Sequence, residues 1–210
     1  MKKLFWGTPG FENELAALYT RAPFPPEAEK AAAEIIADVR QNGDAALVKY
    51  AKKFDHTDLA PEQFRVTAEE LAAAGKKLSA GDKKAIKTAL AQVQAFAKLT
   101  KPRNWKKSPR PGVTVGEKFT PMDRVGVYIP GGTAPLVSTV LHTAGIARAA
   151  GVKEIVAITP PGNMHPAVLY AMLQAGVTQI CRLGGVYGIA ALALGTETIR
   201  RAEKICGPGN

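Results

Sequence analysis

The stretch RVGVYIPGGTAP, residues 124–135, decides the fold. A short apolar run enters a Pro-Gly-Gly turn, and the helical pattern LVSTVLHTAGIARAAG follows it. The same succession returns in KEIVAIT at 153–159, before PPGN, and in TQICRL at 178–183, before GG. A fourth run, EKIC at 203–206, leads into GPGN. Continuous apolar strands that alternate with helices predict a parallel sheet with helices on both faces.

The turns that follow these strands predict a ligand site. With right-handed connections and the strand order 3-2-1-4, the first strand lies beside the fourth. Ligands bind such sheets beyond the carboxyl ends of the strands, where the order reverses. The turn after Tyr128 and the turn that reaches Asn210 would then face one crevice. Glycines allow close backbone approach and helix N-termini attract negative charge, so the residues favour an anionic or nucleotide-type ligand.

The motif evidence for NAD itself is weaker. The dinucleotide fingerprint G-x-G-x-x-G is not complete anywhere in the chain, although GPGN has the form of its first half. Gly-Pro turns also occur as plain connections between a strand and a helix. The pattern alone therefore leaves the nature of the ligand open.

Residues 1–110 have the periodicity of helices. Gly43 predicts the end of one helix, and Asp44 is predicted to be the N-cap of the next. Thr67 and Glu70 form the T-x-x-E pattern of a capping box. Further along the chain, ETIRRA at 197–202 predicts one more short helix. The predicted class is therefore α/β, a helical N-terminal region plus an incomplete Rossmann-like doubly wound parallel sheet.

We predict three segments along the chain. Residues 1–22 form a helical arm, residues 23–124 the mostly helical first part of domain one, and residues 125–210 a Rossmann-like domain two that is truncated at its carboxyl end. The basic run at 101–112 is predicted to be a linker. The weakly alternating VTVGEKFTPM at 113–122 is predicted to form a short antiparallel edge.

Composition excludes several classes of protein. The chain has 210 residues, of which 46% are apolar and 22% charged, enough for a core and unlike a disordered chain. It contains neither a run of 18 apolar residues nor the apolar stretch of a signal peptide, so we expect a cytoplasmic protein without a membrane partner. Cys181 and Cys206 are expected to be buried, reduced thiols. The net charge of +10 suits a phosphorylated ligand, a nucleic acid or simple solubility.

The usual catalytic patterns are absent from the sequence. His56, His142 and His165 do not have the spacing of metal ligands, and the two cysteines form no CxxC motif. There is no G-x-S-x-G, H-E-x-x-H or P-loop lysine. The run KLTKPRNWKKSPR at 98–110 combines six basic residues with one Trp, but a solvated linker explains it better than nucleic-acid binding.

Two long stretches resemble one enzyme family. RVGVYIPGGTAPLVSTVL and GGVYGIAALALGTETIRRAEKICGPGN are similar to the N-terminal half of the histidinol dehydrogenases, and so is IIADVRQNGDAALVKYAKKFD. The resemblance implies an enzyme of histidine biosynthesis that oxidises L-histidinol to L-histidine through the aldehyde. It also implies two molecules of NAD used in sequence, one zinc per active site and a homodimer with intertwined ends.

The resemblance assigns cofactor contacts but no catalytic residue. The family's cofactor-binding tyrosine and asparagine match Tyr128 and Asn210, and its cofactor-binding glutamine falls on Tyr187. A second departure is VLHTAGIARAAG, where the family commonly has VLMNAIPAKVAG. The family's zinc ligands, and the glutamate and histidine that move protons, match no residue of this chain and are expected beyond it. The resemblance therefore predicts that these 210 residues alone are inactive.

Two other functions remain open at this point. The two departures suggest a divergent member, so a related dehydrogenase of the same superfamily could act on another small polar alcohol. A non-catalytic module that binds a nucleotide would also account for the glycine turns.

Overall fold

The computed structural model describes residues 3–20, 25–131 and 134–209. The helices of this part of the chain are α1 (Phe11–Tyr19), α2 (Pro26–Asp55), α3 (Ala68–Lys76), α4 (Ala80–Thr100), α5 (Val137–Val140), α6 (Ile146–Ala150), α7 (Pro166–Ala175) and α8 (Gly185–Leu194). The strands are β1 (Trp105–Arg110), β2 (Val113–Glu117), β3 (Arg124–Tyr128), β4 (Glu154–Ile158), β5 (Gln179–Cys181) and β6 (Lys204–Cys206). A π-helical turn, Leu141–Gly145, joins α5 to α6.

The chain divides into two compact units, residues 1–34 and residues 35–210. In the first unit Trp6 packs edge-on against Phe11 at the start of α1, with ring centroids 5.1 Å apart. The second unit contains the whole parallel sheet. The division into three segments that the sequence suggested stays a prediction.

The main sheet has four parallel strands in the order β5-β4-β3-β6, which confirms the predicted order. The free edge of β5 is covered by a short extended segment. Val66 N–H donates to the carbonyl of Ile180 at 2.9 Å, and Arg182 N–H donates to the carbonyl of Phe64 at 2.8 Å. This added pairing places the residues just before α3 beside the sheet.

Helices cover both faces of the sheet, as a doubly wound fold requires. Alternate strand residues point to opposite sides. Val125 and Ile155 join a core cluster with α3, α4, α7 and the helix that runs from α5 to α6. Val156 and Ile158 join a second cluster with the later part of α2 and with α8. The α/β class predicted from the sequence is confirmed.

Helix α2 is broken at Gly43, as predicted, but its capping differs from the prediction. Gly43 has φ 49° and ψ −128°, a conformation that side chains disfavour, and a Cβ there would overlap the carboxylate of Glu197. Glu197 accepts the backbone N–H of Asp44 at 2.8 Å. Asp44 itself accepts the hydroxyl of Thr198 at 3.1 Å. The cap therefore comes from a side chain 153 positions downstream, and Asp44 is the capped residue.

A polar cluster joins the two parts of α2 across this break. Asp38 accepts hydrogen bonds from Lys49 Nζ at 2.6 Å, from the amide of Asn42 at 2.6 Å and from the hydroxyl of Tyr50 at 2.8 Å. These partners, Lys49 foremost, lower the pKa of Asp38 to about 2. The cluster also holds the hydroxyl of Tyr50, whose ring lies next to the candidate functional site.

Two predictions of local structure are wrong. The basic linker forms β1, which pairs antiparallel with β2, and Trp105 Nε1 donates to Glu117 at 2.7 Å across the pair. All six residues of β1 are exposed, so apolar alternation could not reveal the strand. Residues 197–202 are not helical: Thr196 closes a turn there, its N–H donating to the carbonyl of Ile199 at 2.8 Å and its hydroxyl accepting the N–H of Ile199 at 3.2 Å.

The prediction for the cysteines is half right. Both thiols are free, and Cys181 is buried in the middle of the fold, whereas Cys206 is exposed. The difference follows from position, because β6 is an edge strand of the main sheet. No helix among the described residues is long and apolar enough to cross a membrane.

Replacing Gly43 with alanine should lower the free energy of unfolding by about 1–3 kcal/mol, because the new Cβ meets Glu197 in a disfavoured backbone conformation. Urea denaturation measures this change. Gly81→Ala is the matched control. Gly81 lies in a helix, and a Cβ there would be in ordinary van der Waals contact, 3.6 Å from its nearest neighbouring atom, so the free energy of unfolding should stay the same or rise. Equal effects of the two substitutions would contradict the role given to Gly43.

The Asp38 cluster predicts a specific acid sensitivity. A carboxyl whose pKa is lower in the folded state stabilises the fold above its unfolded pKa, and loses that effect as the pH falls through its folded pKa. Stability should therefore fall between about pH 4 and pH 2, and Asp38→Asn should reduce the slope in this window. Denaturation series at several pH values measure it. Lys49→Met should give a smaller reduction; an unchanged slope in Asp38→Asn would refute the prediction.

Candidate nucleotide-binding crevice

The reversal of strand order brings the turn after β3 next to the turn after β6. Gly207 lies against the backbone of Tyr128, and a Cβ on Gly207 would be 2.8 Å from Tyr128 Cβ and 3.0 Å from Tyr128 N. Only glycine allows this approach. Gly132, Thr133 and Asn210, which the sequence also placed at the crevice, lie outside the described residues.

The start of α8 forms a further side of the crevice. A Cβ on Gly184 would lie 2.9 Å and 3.0 Å from the carboxylate oxygens of Asp55 and 3.1 Å from Pro160, so the backbone is tightly enclosed there. The next residue, Gly185, has φ 47° and open space on its Cβ side. The first turn of α8 thus has one crowded glycine and one that leaves room for a ligand.

Tyr187 stands behind this turn and not in the open crevice. Its side chain is buried, with 1% of the residue exposed. Its hydroxyl accepts the N–H of Gly184 at 2.8 Å and donates to the carboxylate of Asp55. Tyr187 is the third residue of α8, and its side chain accepts the backbone N–H of the N-cap residue. In a capping box a Glu or Gln at this position makes the same hydrogen bond. Burial first, and then Asp55, raise the pKa of Tyr187.

Tyr128 is half-buried at the end of β3, and both this burial and the charge of the same carboxylate, that of Asp55, affect its pKa. Burial raises the pKa of its phenol, the charge of Asp55 adds to the increase, and the N–H of Gly185 acts in the opposite direction. The structure therefore brings together Tyr128 and Tyr187, which are 59 positions apart in the sequence, around Asp55.

Asp55 is the site residue that sequence reasoning missed. It is the last residue of α2, and His56 follows with φ 51°, the positive φ at which helices often end. A single carboxylate at the end of an amphipathic helix carries no distinguishing pattern. Only the packing of α2 beside α8 shows that Asp55 reaches the carboxyl edge of the sheet.

The histidines have local structural contacts. His142 Nδ1 lies 2.9 Å from the carbonyl of Ser138, one helical turn earlier, and His165 caps α7 by accepting the N–H of Ala167 at 3.2 Å. Within residues 3–20, 25–131 and 134–209, no group of three or more His, Cys, Asp or Glu side chains could hold a metal ion.

Ion pairs occupy the opposite end of the sheet. Arg124 is buried and donates to Glu154 at 2.6 Å, and Arg200 donates to the same carboxylate at 2.9 Å. Arg124 foremost lowers the pKa of Glu154. These charges lie at the amino ends of the strands, away from the turns that follow β3 and β6.

The fold and these glycine turns define a doubly wound α/β protein whose crevice suits a nucleotide-type ligand. Comparison with known proteins is more specific. The family model described as histidinol dehydrogenase matches residues 21–210. This chain belongs to the histidinol dehydrogenase family.

Individual relatives agree with this assignment. A histidinol dehydrogenase of Caulobacter vibrioides is 41% identical over 211 residues, which cover 100% of this chain and 49% of the relative. One from Thermosynechococcus vestitus is 46% identical over 179 residues, or 84% of this chain and 42% of the relative. A crystal structure of histidinol dehydrogenase from Elizabethkingia anophelis matches with a TM-score of 0.84 and 36% identity, over 90% of this chain and 44% of that one. The chain spans about half the length of the relatives that it matches.

Removing the hydroxyl of Tyr187 should destabilise the protein measurably. In Tyr187→Phe the N–H of Gly184 and one oxygen of Asp55 lose their partner, which costs about 1–3 kcal/mol of unfolding free energy. Tyr170→Phe is the control, because its ring is also buried but its hydroxyl makes no hydrogen bond within the described part of the chain; a change below about 0.5 kcal/mol is expected there. Equal losses in urea denaturation would contradict this role of the hydroxyl.

Proposed function

We propose that the full-length protein is an NAD- and zinc-dependent histidinol dehydrogenase, which oxidises L-histidinol to L-histidine through the aldehyde in histidine biosynthesis. Family membership over residues 21–210 is the observation that carries the proposal. The neighbouring turns after β3 and β6 add independent support, because they lie where doubly wound sheets bind nucleotides.

NAD is the proposed ligand of this crevice, with Tyr128 and Asn210 as direct cofactor contacts and Tyr187, the third predicted cofactor-binding residue, in an indirect role. Bound NAD would supply the hydride acceptor for alcohol oxidation. The described residues fit such a ligand, since Gly185 leaves open space beside the first turn of α8 and Gly207 lets the backbone of β6 approach β3. The ring of Tyr128 offers a face for stacking and a hydroxyl for hydrogen bonding. The buried Tyr187 acts through the loop that it caps.

Zinc belongs to the proposal for the full-length enzyme only. The described residues contain no set of side chains that fits the ion, so no step of the reaction is assigned to a metal here. The ligands, and the residues that move protons, are proposed to lie outside these residues. We further propose a homodimeric, cytoplasmic enzyme without a nucleic-acid or membrane partner.

Two other functions compete with this proposal. A related dehydrogenase for another small polar alcohol is favoured by the replacement of the family's glutamine by Tyr187. A non-catalytic nucleotide-binding module would keep the crevice without the reaction. Substrate turnover separates the three, since only the first oxidises L-histidinol in preference to other amino alcohols and the last oxidises none.

The decisive experiment follows NADH formation by the purified full-length protein. L-Histidinol with NAD should give NADH and L-histidine, and other amino alcohols should give much less. Tyr128→Phe should raise the KM for NAD by about threefold to tenfold, which is the effect of losing one neutral hydrogen bond. Tyr19→Phe, at a side chain that is 80% exposed in the first unit, should not change it. NAD binding without turnover of any alcohol would reject the proposal in favour of the binding module.

A further inference from the structure

Asp55 reaches the crevice from an element that does not belong to the sheet. It ends α2, yet its carboxylate accepts the hydroxyl of Tyr187 from α8. The same carboxylate crowds Gly184 and adds to the raised pKa of Tyr128 at the end of β3. Asp55 thus contacts Tyr187 and Gly184 directly and acts on Tyr128 through its charge, although it is not among the proposed cofactor contacts.

The link between Asp55 and the loop is rigid at each step. The hydroxyl of Tyr187 is fixed from both sides, by the N–H of Gly184 and by Asp55. The ring of Tyr187 stacks on Tyr50, with centroids 6.2 Å apart, and the hydroxyl of Tyr50 is held by Asp38. A phenol that is stacked, buried and bonded twice cannot move without displacing the loop.

The direction of Asp55 is also set by its backbone. α2 ends there because His56 takes a positive φ, and the hydroxyl of Thr57 donates to the carbonyl of Asp55 at 2.9 Å. Positive φ is uncommon for a residue other than glycine. The end of α2 therefore fixes where the carboxylate points.

We propose that Asp55 is a positioning residue for the dinucleotide. It acts through the hydroxyl of Tyr187, which holds Gly184 and Gly185 so that the first turn of α8 and the phenol of Tyr128 keep their places at the crevice. Asp55 itself contacts no reacting atom. The inference rests on the proposed function, because it assumes that NAD occupies this crevice.

A positioning role differs from a purely structural one in what it changes. A structural contact alters the fraction of folded protein, but not the affinity of the folded molecules for NAD. A positioning contact alters that affinity and the KM for NAD, while kcat at saturating NAD stays nearly constant. The effects of replacing Asp55 and Tyr187 should also be non-additive, because both substitutions remove the same hydrogen bond. The double variant should therefore lose little more NAD affinity than either single variant.

The test uses the full-length protein, with NAD affinity measured by calorimetry on samples shown by circular dichroism to be folded. Asp55→Ala, which removes the acceptor of the Tyr187 hydroxyl, and Tyr187→Phe should each raise the Kd for NAD by about tenfold, and the double variant by no more than about twice that. Tyr187→Gln should stay within about threefold of the unmodified protein, since glutamine at this position can accept the N–H of Gly184. Asp58→Ala is the matched control; that carboxylate is exposed, pairs with Lys52 at 2.9 Å, and should leave the Kd unchanged.

Each result decides the question. An unchanged Kd in Asp55→Ala, or equal Kd values for Tyr187→Phe and Tyr187→Gln, overturns the inference. If Asp55→Ala does not fold, Tyr187→Phe decides, because it removes the same hydrogen bond from the other side, and an unchanged Kd there overturns the inference as well. An unmodified full-length protein that binds no NAD refutes the proposed function itself, whereas NAD binding that is indifferent to Asp55 refutes only this role.

Discussion

The parallel pairing of β3 with β6 is the constraint on which the rest of the structure depends. It makes β3 an interior strand, with β4 on its other side, and so creates the point where strand order reverses. The pairing continues into the turns only because Gly207 has no side chain, since any Cβ would meet Tyr128. Strand order and the close approach of the two turns are therefore consequences of one pairing.

How far the sequence predicted the fold depended on whether the deciding contacts were local. Apolar runs separated by glycine turns predicted all four parallel strands, and the order assumed for them, 3-2-1-4, is the order observed. The capping box at Thr67 and Glu70 was likewise predictable, because both partners lie within one turn. β1 was not predictable, because a fully exposed hairpin is stabilised by cross-strand contacts such as that of Trp105 with Glu117 and has no buried face.

Long-range polar contacts are the part of the candidate site that could not be predicted from the sequence. Glu197 was predicted to begin a helix, yet its carboxylate caps Asp44, and neither residue's neighbours in the sequence indicate the other. Asp55 and Tyr187 are separated by 132 positions in the same way. Strand periodicity predicted a ligand site at the carboxyl ends of the strands, and the resemblance assigned Tyr128 and Tyr187 to it. The residue that ties them together became visible only when α2 was packed against α8.

Tyr187 shows how the surrounding structure accommodates a departure from the family pattern. Glutamine at the third position of a helix uses its carbonyl oxygen to accept the N–H of the N-cap residue. A phenol oxygen can do the same, as the bond from Gly184 shows, but it also carries a proton that must be donated in a buried site. Asp55 accepts that proton's hydrogen bond. The tyrosine is therefore compatible with this loop because a carboxylate already stands behind it. A tyrosine here without Asp55 would leave a buried donor unpaired.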